Sequence, residues 1–234
     1  MLDMLEEDPL GQLEKRIGYC FKNRELLRWA LTHSSYVNEH KINKGQDYER
    51  LEFLGDAVLE MISSAYLYKE YPTMQEGEMT RKRASIVCGG ALAICAKEIG
   101  LGEFLFLGRG EETTGGREKE NIIADCMEAL VGAIFLDSGY DAASDFVGRT
   151  VLADLEHKEL FFDSKTLLQE YAQRESGSNL NYVLVDAQGP DHDREYVMEV
   201  RLNGKTLGRG GGKTKKAAAQ RAAYEALLAL RVQE

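Results

Sequence analysis

No apolar run among these 234 residues approaches the roughly 20 that a helix needs to cross a bilayer, so no membrane partner is expected. The opening Met1-Leu-Asp-Met-Leu-Glu-Glu-Asp8 is acidic and lacks the basic start and apolar stretch of a secretory signal; a cytoplasmic protein is expected. Cysteine is scarce. The four present (Cys20, Cys88, Cys95 and Cys126) show no C-x-x-C spacing, which removes zinc sites and a disulfide framework. All four fall in apparent helices and are expected to be buried thiols in a reducing compartment. A surplus of positive charge is missing too. The formal net charge is −10, which would argue against a nucleic-acid partner if it were spread evenly.

It is not spread evenly. Residues 1–162 hold 18 Lys and Arg against 29 Asp and Glu, while residues 163–234 hold 11 against 10. Val200 to Tyr224 carries seven basic residues and no acidic one. The acidic part suits metal ligands and solvated helices, and the basic segment suits phosphate. A hydrophobic content of 44% with 29% charged residues describes an ordinary soluble protein of one or two domains, each large enough to bury a core.

The informative stretch is Glu49-Arg-Leu-Glu52-Phe53-Leu-Gly55-Asp56. At roughly 100° per residue in a helix, Glu49, Glu52 and Asp56 fall within about 60° of one another. Leu51, Leu54, Val58 and Ile62 form a core stripe on the other side. Carboxylates so close repel each other. Solvent, partner cations, raised pKa values or a divalent metal could each relieve the repulsion. Glu60 lies on the same face one turn further on. A second helix repeats the pattern, with Asp125 and Glu128 at i,i+3 and Asn121 and Gly132 on the same side. Ile122, Ile123, Met127, Leu130, Val131 and Ile134 make this helix too apolar for a free surface, and carboxylates are rarely buried unless paired or metal-bound. Gly132, costing about 1 kcal/mol relative to alanine, is most simply explained by another backbone pressing close. Two such helices face to face make an all-oxygen site suited to a hard cation such as magnesium or manganese.

The run Glu49 to Asp56, followed by Ala57-Val-Leu, resembles the signature of the ribonuclease III endonucleases, and Ala124 to Asp137 resembles that family's second acidic helix. The resemblance covers nearly the whole chain. It implies Glu52, Asp56, Asp125 and Glu128 as metal ligands, direct or through water. It also implies Glu49 as a catalytic-site residue that binds metal or organises the site or subunit interface. Glu60 is not part of the family motif and is left out. Phe53 lies about 40° from Glu49, on the acidic side. It either fills an internal gap or inserts into a partner subunit; the family's homodimers favour the partner. The resemblance further gives Glu76 a role in RNA processing and makes Ala30 to Tyr36 the family's first conserved block. His33, within that block, is read as a hydrogen-bonded residue at or near the core.

Residues 1–158 are expected to form an all-helical endonuclease domain. Helices are expected from Leu10, over Arg24–His33 behind an Asn23 cap, from the first acidic motif to about Glu70, over Ala84–Ile99, and from Ala142 to about Leu155. Arg81-Lys82-Arg83 is either plain surface or a phosphate contact. Arg109 to Glu120 reads as a mobile loop able to close over substrate.

Residues 163–234 read as a small α+β domain in αβββα order. Thr166 to Gln173 is a short amphipathic helix, Tyr182–Asp186 and Tyr196–Leu202 are strands, and Asn203-Gly204 turns the chain into a third at Lys205–Arg209. An alanine-rich helix over Thr214–Leu230 closes the domain. Lys213, Lys215 and Lys216 sit at its start, where each cation opposes the dipole by roughly 0.3–1 kcal/mol. Bound phosphate would reverse that penalty. Gly210-Gly-Gly-Lys213-Thr is no nucleotide P-loop, because its first glycine would fall at Leu207. The αβββα order resembles a double-stranded RNA-binding domain. By that resemblance His192, in Gly189-Pro-Asp-His192, enters one minor groove, and Thr166, Gln169, Glu170 and Gln173 face another and read 2′-hydroxyls.

The combined expectation is a homodimeric, magnesium- or manganese-dependent endoribonuclease of double-stranded RNA that needs no small-molecule cofactor. By family resemblance it leaves 5′-phosphate and 3′-hydroxyl ends on ribosomal precursor, messenger and other structured RNAs. Two alternatives stay open: a non-catalytic RNA-binding protein on the same scaffold, and an all-α nucleotide pyrophosphohydrolase, which would leave the C-terminal module unexplained.

Overall fold

The computed structural model describes residues 8–41, 45–153, 155, 164–174, 178–189, 194–212 and 214–231. The chain divides into two compact units, 1–153 and 154–234. Among the described residues the first unit is helical, its one β-type contact being an isolated parallel bridge between Thr32 and Phe106. The helices are α1 (Pro9–Ile17), α2 (Arg24–Ala30), α3 (Ser34–His40), α4 (Glu49–Glu70), α5 (Glu76–Val87), α6 (Gly89–Glu98), α7 (Arg109–Thr113) and α8 (Glu120–Thr150).

The layout follows from α4 and α8, which pack along each other with α6 and α2 against α8. Leu51, Val58, Leu59, Ile62 and Leu67 of α4 are buried, and Leu54 is half-buried. From Ile122 to Ile134, α8 buries nearly every side chain except Asp125 and Glu128. Gly139 interrupts α8 with φ 81°. Just before that break, Asp137 accepts hydrogen bonds from the Tyr19 hydroxyl (2.6 Å), Lys22 N–H (3.0 Å) and Asn23 N–H (2.8 Å), anchoring the α1–α2 connection to α8.

Several expected boundaries shift, each for a visible reason. Helix α2 stops at Ala30 instead of His33, because Phe106 N–H donates to Leu31 O and His33 N–H to Phe106 O. His33 instead caps α3, its Nδ1 accepting from Ser35 N–H at 3.1 Å. The single helix expected over Ala84–Ile99 is two, divided at Cys88 (φ −67°, ψ 149°), and Arg81, Lys82 and Arg83 lie within α5. Cys20 and Cys88 are exposed and outside helices, so only Cys95 and Cys126 are buried thiols. Arg109–Glu120 is no open loop. It holds α7 and a 3₁₀ turn, with Lys119 paired to Glu111, Arg117 to Glu112, and Arg117 also donating to the carbonyls of Gly102 and Glu103.

The second unit is α9 (Ser164–Gln173), an antiparallel sheet of β1 (Leu180–Gln188), β2 (Glu195–Leu202) and β3 (Lys205–Gly212) in that spatial order, and α10 (Lys215–Arg231). Asn203 and Gly204 both take positive φ, 52° and 82°, as a tight hairpin of this twist demands. Ala218, Ala219, Ala222, Ala223 and Ala226 are buried, which lets α10 lie close on the sheet over Met198 and Val200.

Burial works against ionisation of Asp137, but its bonds from Tyr19, Lys22 and Asn23 outweigh that and hold the carboxyl below its usual range. A lowered native pKa stabilises the fold above the unfolded carboxyl value of about 3.9 and is lost as pH falls through the native value. Asp137→Ala should therefore cost about 1–3 kcal/mol near neutrality. In urea melts, its deficit against wild type should shrink below about pH 4.

Candidate active site

Helices α4 and α8 meet backbone to backbone. A Cβ built on Gly55 would stand 1.8 Å from the Glu128 carbonyl oxygen, and one built on Gly132 would stand 2.3 Å from that of Leu51. The close backbone inferred for Gly132 is thus α4 itself. This crossing brings Glu52 and Asp56, which flank Gly55 in sequence, against Asp125 and Glu128.

The four carboxyls act on one another. Burial first, then Asp56, Glu52 and Asp125, push the Glu128 carboxyl up to about 8. Burial, Asp125, Glu49 and Asp56 raise Glu52. Burial raises Asp125 too, with His33 opposing. No Lys or Arg among the described residues forms an ion pair with any of the four. In their present rotamers no three acidic, imidazole or thiol groups among the described residues converge tightly enough to hold an ion at once. The donor set nevertheless suits a hard cation: its members are all oxygen, half-buried except for the exposed Asp56, and not ion-paired to any Lys or Arg among the described residues.

Around this cluster the expected residues lie as follows. Glu49 is exposed at the start of α4 and adds its charge to Glu52. Phe53 projects from α4 with 82% of its surface exposed. Glu76 is exposed at the first position of α5. Among the neighbouring cations Arg83 donates to Ser64 Oγ at 2.8 Å and Lys82 lies over the Tyr71 ring, whereas Arg81 is exposed. Sequence reasoning missed Tyr48, which is 4% exposed and sits beside the cluster. It precedes the acidic motif by one residue, and nothing in its spacing distinguishes it from an ordinary core aromatic.

In the second unit Thr166, Gln169, Glu170 and Gln173 are all exposed along one face of α9, opposite the buried Leu168 and Ala172. Lys215 and Lys216 are exposed in the first turn of α10, which the Thr214 hydroxyl caps by accepting from Ala217 N–H at 3.0 Å. His192 and Lys213 lie outside the described residues.

Residues 23–155 match the family model described as ribonuclease-III-like, and residues 164–230 match the double-stranded RNA binding motif. An acidic helical nuclease unit joined to such a motif defines the class, an endoribonuclease for double-stranded RNA. The chain is 47% identical over 227 residues to ribonuclease 3 of Halalkalibacterium halodurans, covering 96% of this chain and 86% of that protein. It is 46% identical over 237 residues to ribonuclease 3 of Shouchella clausii, covering 100% and 91%. A solved nuclease domain of ribonuclease III from Campylobacter jejuni superposes with a TM-score of 0.57 at 37% identity, covering 61% of this chain and 95% of that one. The chain belongs to the ribonuclease III family.

With no room for a methyl group at the crossing, Gly55→Ala must push α4 from α8. The variant should lose roughly 1–3 kcal/mol of stability, and its cleavage of duplex RNA should collapse. Wild-type melting and wild-type cleavage together would refute the close crossing.

Proposed function

We propose that this chain hydrolyses phosphodiester bonds of double-stranded RNA with the help of magnesium or manganese held by Glu52, Asp56, Asp125 and Glu128. The observation that carries this reading is the cluster itself: four interacting carboxylates, three of them half-buried, with no arginine or lysine paired to them among the described residues. Such a set costs stability unless it is protonated or binds a cation. When bound, the cation supplies Lewis acidity to an attacking water and to the leaving 3′ oxygen. The protein's part is to hold the carboxylates at fixed spacing and leave Asp56, the exposed member, accessible to the cation. Glu49 supports the arrangement from the start of α4. No side-chain nucleophile is required, and hydrolysis leaves 5′-phosphate and 3′-hydroxyl ends.

The second unit grips the duplex. Thr166, Gln169, Glu170 and Gln173 offer hydrogen-bonding groups to 2′-hydroxyls, with His192 reading the neighbouring groove. Lys213, Lys215 and Lys216 meet backbone phosphates. Glu76 and Arg81 serve as further RNA contacts beside the cleavage centre. Substrates of this kind are ribosomal precursors, messengers and other structured RNAs in the cytoplasm.

The functional form is a homodimer joined through Phe53. An aromatic ring 82% exposed beside an acidic cluster is costly in water and well suited to a pocket on a second copy. The related Campylobacter jejuni nuclease domain, which has a region involved in dimer formation, supports the same arrangement.

Glu128→Gln should abolish cleavage of a long duplex while leaving RNA affinity within a factor of about two; wild-type turnover would overturn the ligand assignment. Phe53→Ala should shift the sedimenting species from dimer toward monomer, and an undisturbed dimer would exclude Phe53 as its anchor.

A further inference from the structure

Where α2, α3 and the Phe106 segment meet, four flat side chains of the first unit follow one another in a row. The Arg28 guanidinium lies over the Phe106 ring at 5.1 Å, the Phe106 and Tyr36 rings stand 5.6 Å apart, and Tyr36 stacks on His40 at 4.0 Å and 25°. Phe106 and Tyr36 are half-buried, while Arg28 and His40, the two ends of the row, are exposed. The chemistry proposed above uses none of the four.

The row is held from behind. Phe106 N–H donates to Leu31 O at 2.8 Å and His33 N–H to Phe106 O at 3.0 Å, which fixes Phe106 against the end of α2. His40 Nδ1 lies 3.0 Å from Tyr36 O. A carbonyl can only accept, so Nδ1 carries the proton and Nε2 of the neutral ring is left as an acceptor. Tyr36 covers one face of His40, and among the described residues no other ring meets it, so its second face is open to solvent. The charge at the ends is unmatched as well. Arg28 and Lys41, the neighbour of His40, form no ion pair among the described residues, and Arg109 is 94% exposed although paired with Glu39. The row is also continuous with the acidic cluster. His33, which caps α3, packs edge-on against Tyr48 with centroids 5.6 Å apart, and the seven residues of α3 lead from there to His40, about 10 Å away.

Resting on RNA as the substrate, and independently of the metal-site reading, we propose that this row is a stacking site for unpaired nucleotides that continue from the duplex. A base laid on the open face of His40 extends the stack by one plane, and its amino group can donate to Nε2. Arg28 at one end and Lys41 at the other meet phosphates of the same strand. Flat side chains interleaved with cations bind single strands in this way, because every base offers a π-face. A ring fixed beforehand loses little freedom when the base arrives. Unmatched positive charge at both ends favours a polyanion over an apolar protein segment.

The test measures binding to the full chain in EDTA, with the RNA checked for integrity afterwards. One probe is a blunt duplex of about 16 base pairs, the span of such an RNA-binding motif. The others are the same duplex with a run of unpaired adenosines at its 3′ ends or at its 5′ ends. Wild type should bind one extended form roughly 5-fold or more tighter than the blunt one. His40→Ala should lose that preference while keeping wild-type melting and wild-type affinity for the blunt duplex. His40→Phe, which restores a flat ring, should retain the preference. An extension of abasic ribose phosphates should bind no better than the blunt duplex, since charge without a base cannot stack. No preference in wild type, a preference that survives His40→Ala, or an abasic extension bound as tightly as adenosines overturns the proposal and leaves the row as packing or as a contact for another protein. If wild type fails to bind the blunt duplex at all, the RNA reading falls and takes this assignment with it.

Discussion

The approach of two helix backbones at Gly55 and Gly132 governs the rest of the first unit. Helix axes normally stand apart by the width of their side chains. Here a single methyl group on either glycine would collide with a carbonyl oxygen of the other helix. The consequence is electrostatic. Acidic side chains on either side of the crossing cannot spread away from each other, because the helices that carry them are held together by the apolar residues of α4 and α8. Hydrophobic burial does the work of compressing like charge, which no isolated helix could do.

Two opposed requirements meet at this point. Two unit charges about 4 Å apart at a protein surface interact by roughly 4 kcal/mol, a large share of a domain's net stability. Burial first, joined at Glu52 and Glu128 by the neighbouring carboxylates, raises the carboxyls of Glu52, Asp125 and Glu128 and gives them a preference for protons. The surrounding structure is correspondingly well anchored. Asp137 gathers three donors from the α1–α2 connection, and the segment Ala30–His33 is bonded to Tyr48, Cys126 and Phe106. The Arg109–Glu120 stretch is locked by its own ion pairs. The second unit answers a different demand, the presentation of polar and basic groups. Its alanine-lined helix needs little volume to pack and leaves α9 and the start of α10 free to face a partner.

Much of this was readable from residue order. Helical periodicity placed Glu49, Glu52 and Asp56 on one face, and the isolated glycine in an apolar helix announced a close neighbour at Gly132. The Asn203-Gly204 turn declared its hairpin, and the order of elements in the last third matched the observed αβββα unit. The errors share a cause. Helix α2 is shorter than its apolar spacing suggests because its end is set by a bridge to Phe106, more than 70 residues away in sequence. The polar, glycine-rich Arg109–Glu120 looked mobile because its restraints are ion pairs and carbonyl contacts invisible to composition.

Local chemistry therefore determined which segments are helices or strands, where like charges align on one helix face, and which part of the chain is basic. Those properties depend on neighbours within a few residues, and such neighbours can be read along a line. Tertiary structure alone decided that Gly55 is the surface on which Glu128 rests, that His33 caps a helix beside the acidic cluster, and that Tyr48 is buried there. Each of these depends on atoms from distant parts of the chain, and contact between distant segments is created only when the core closes.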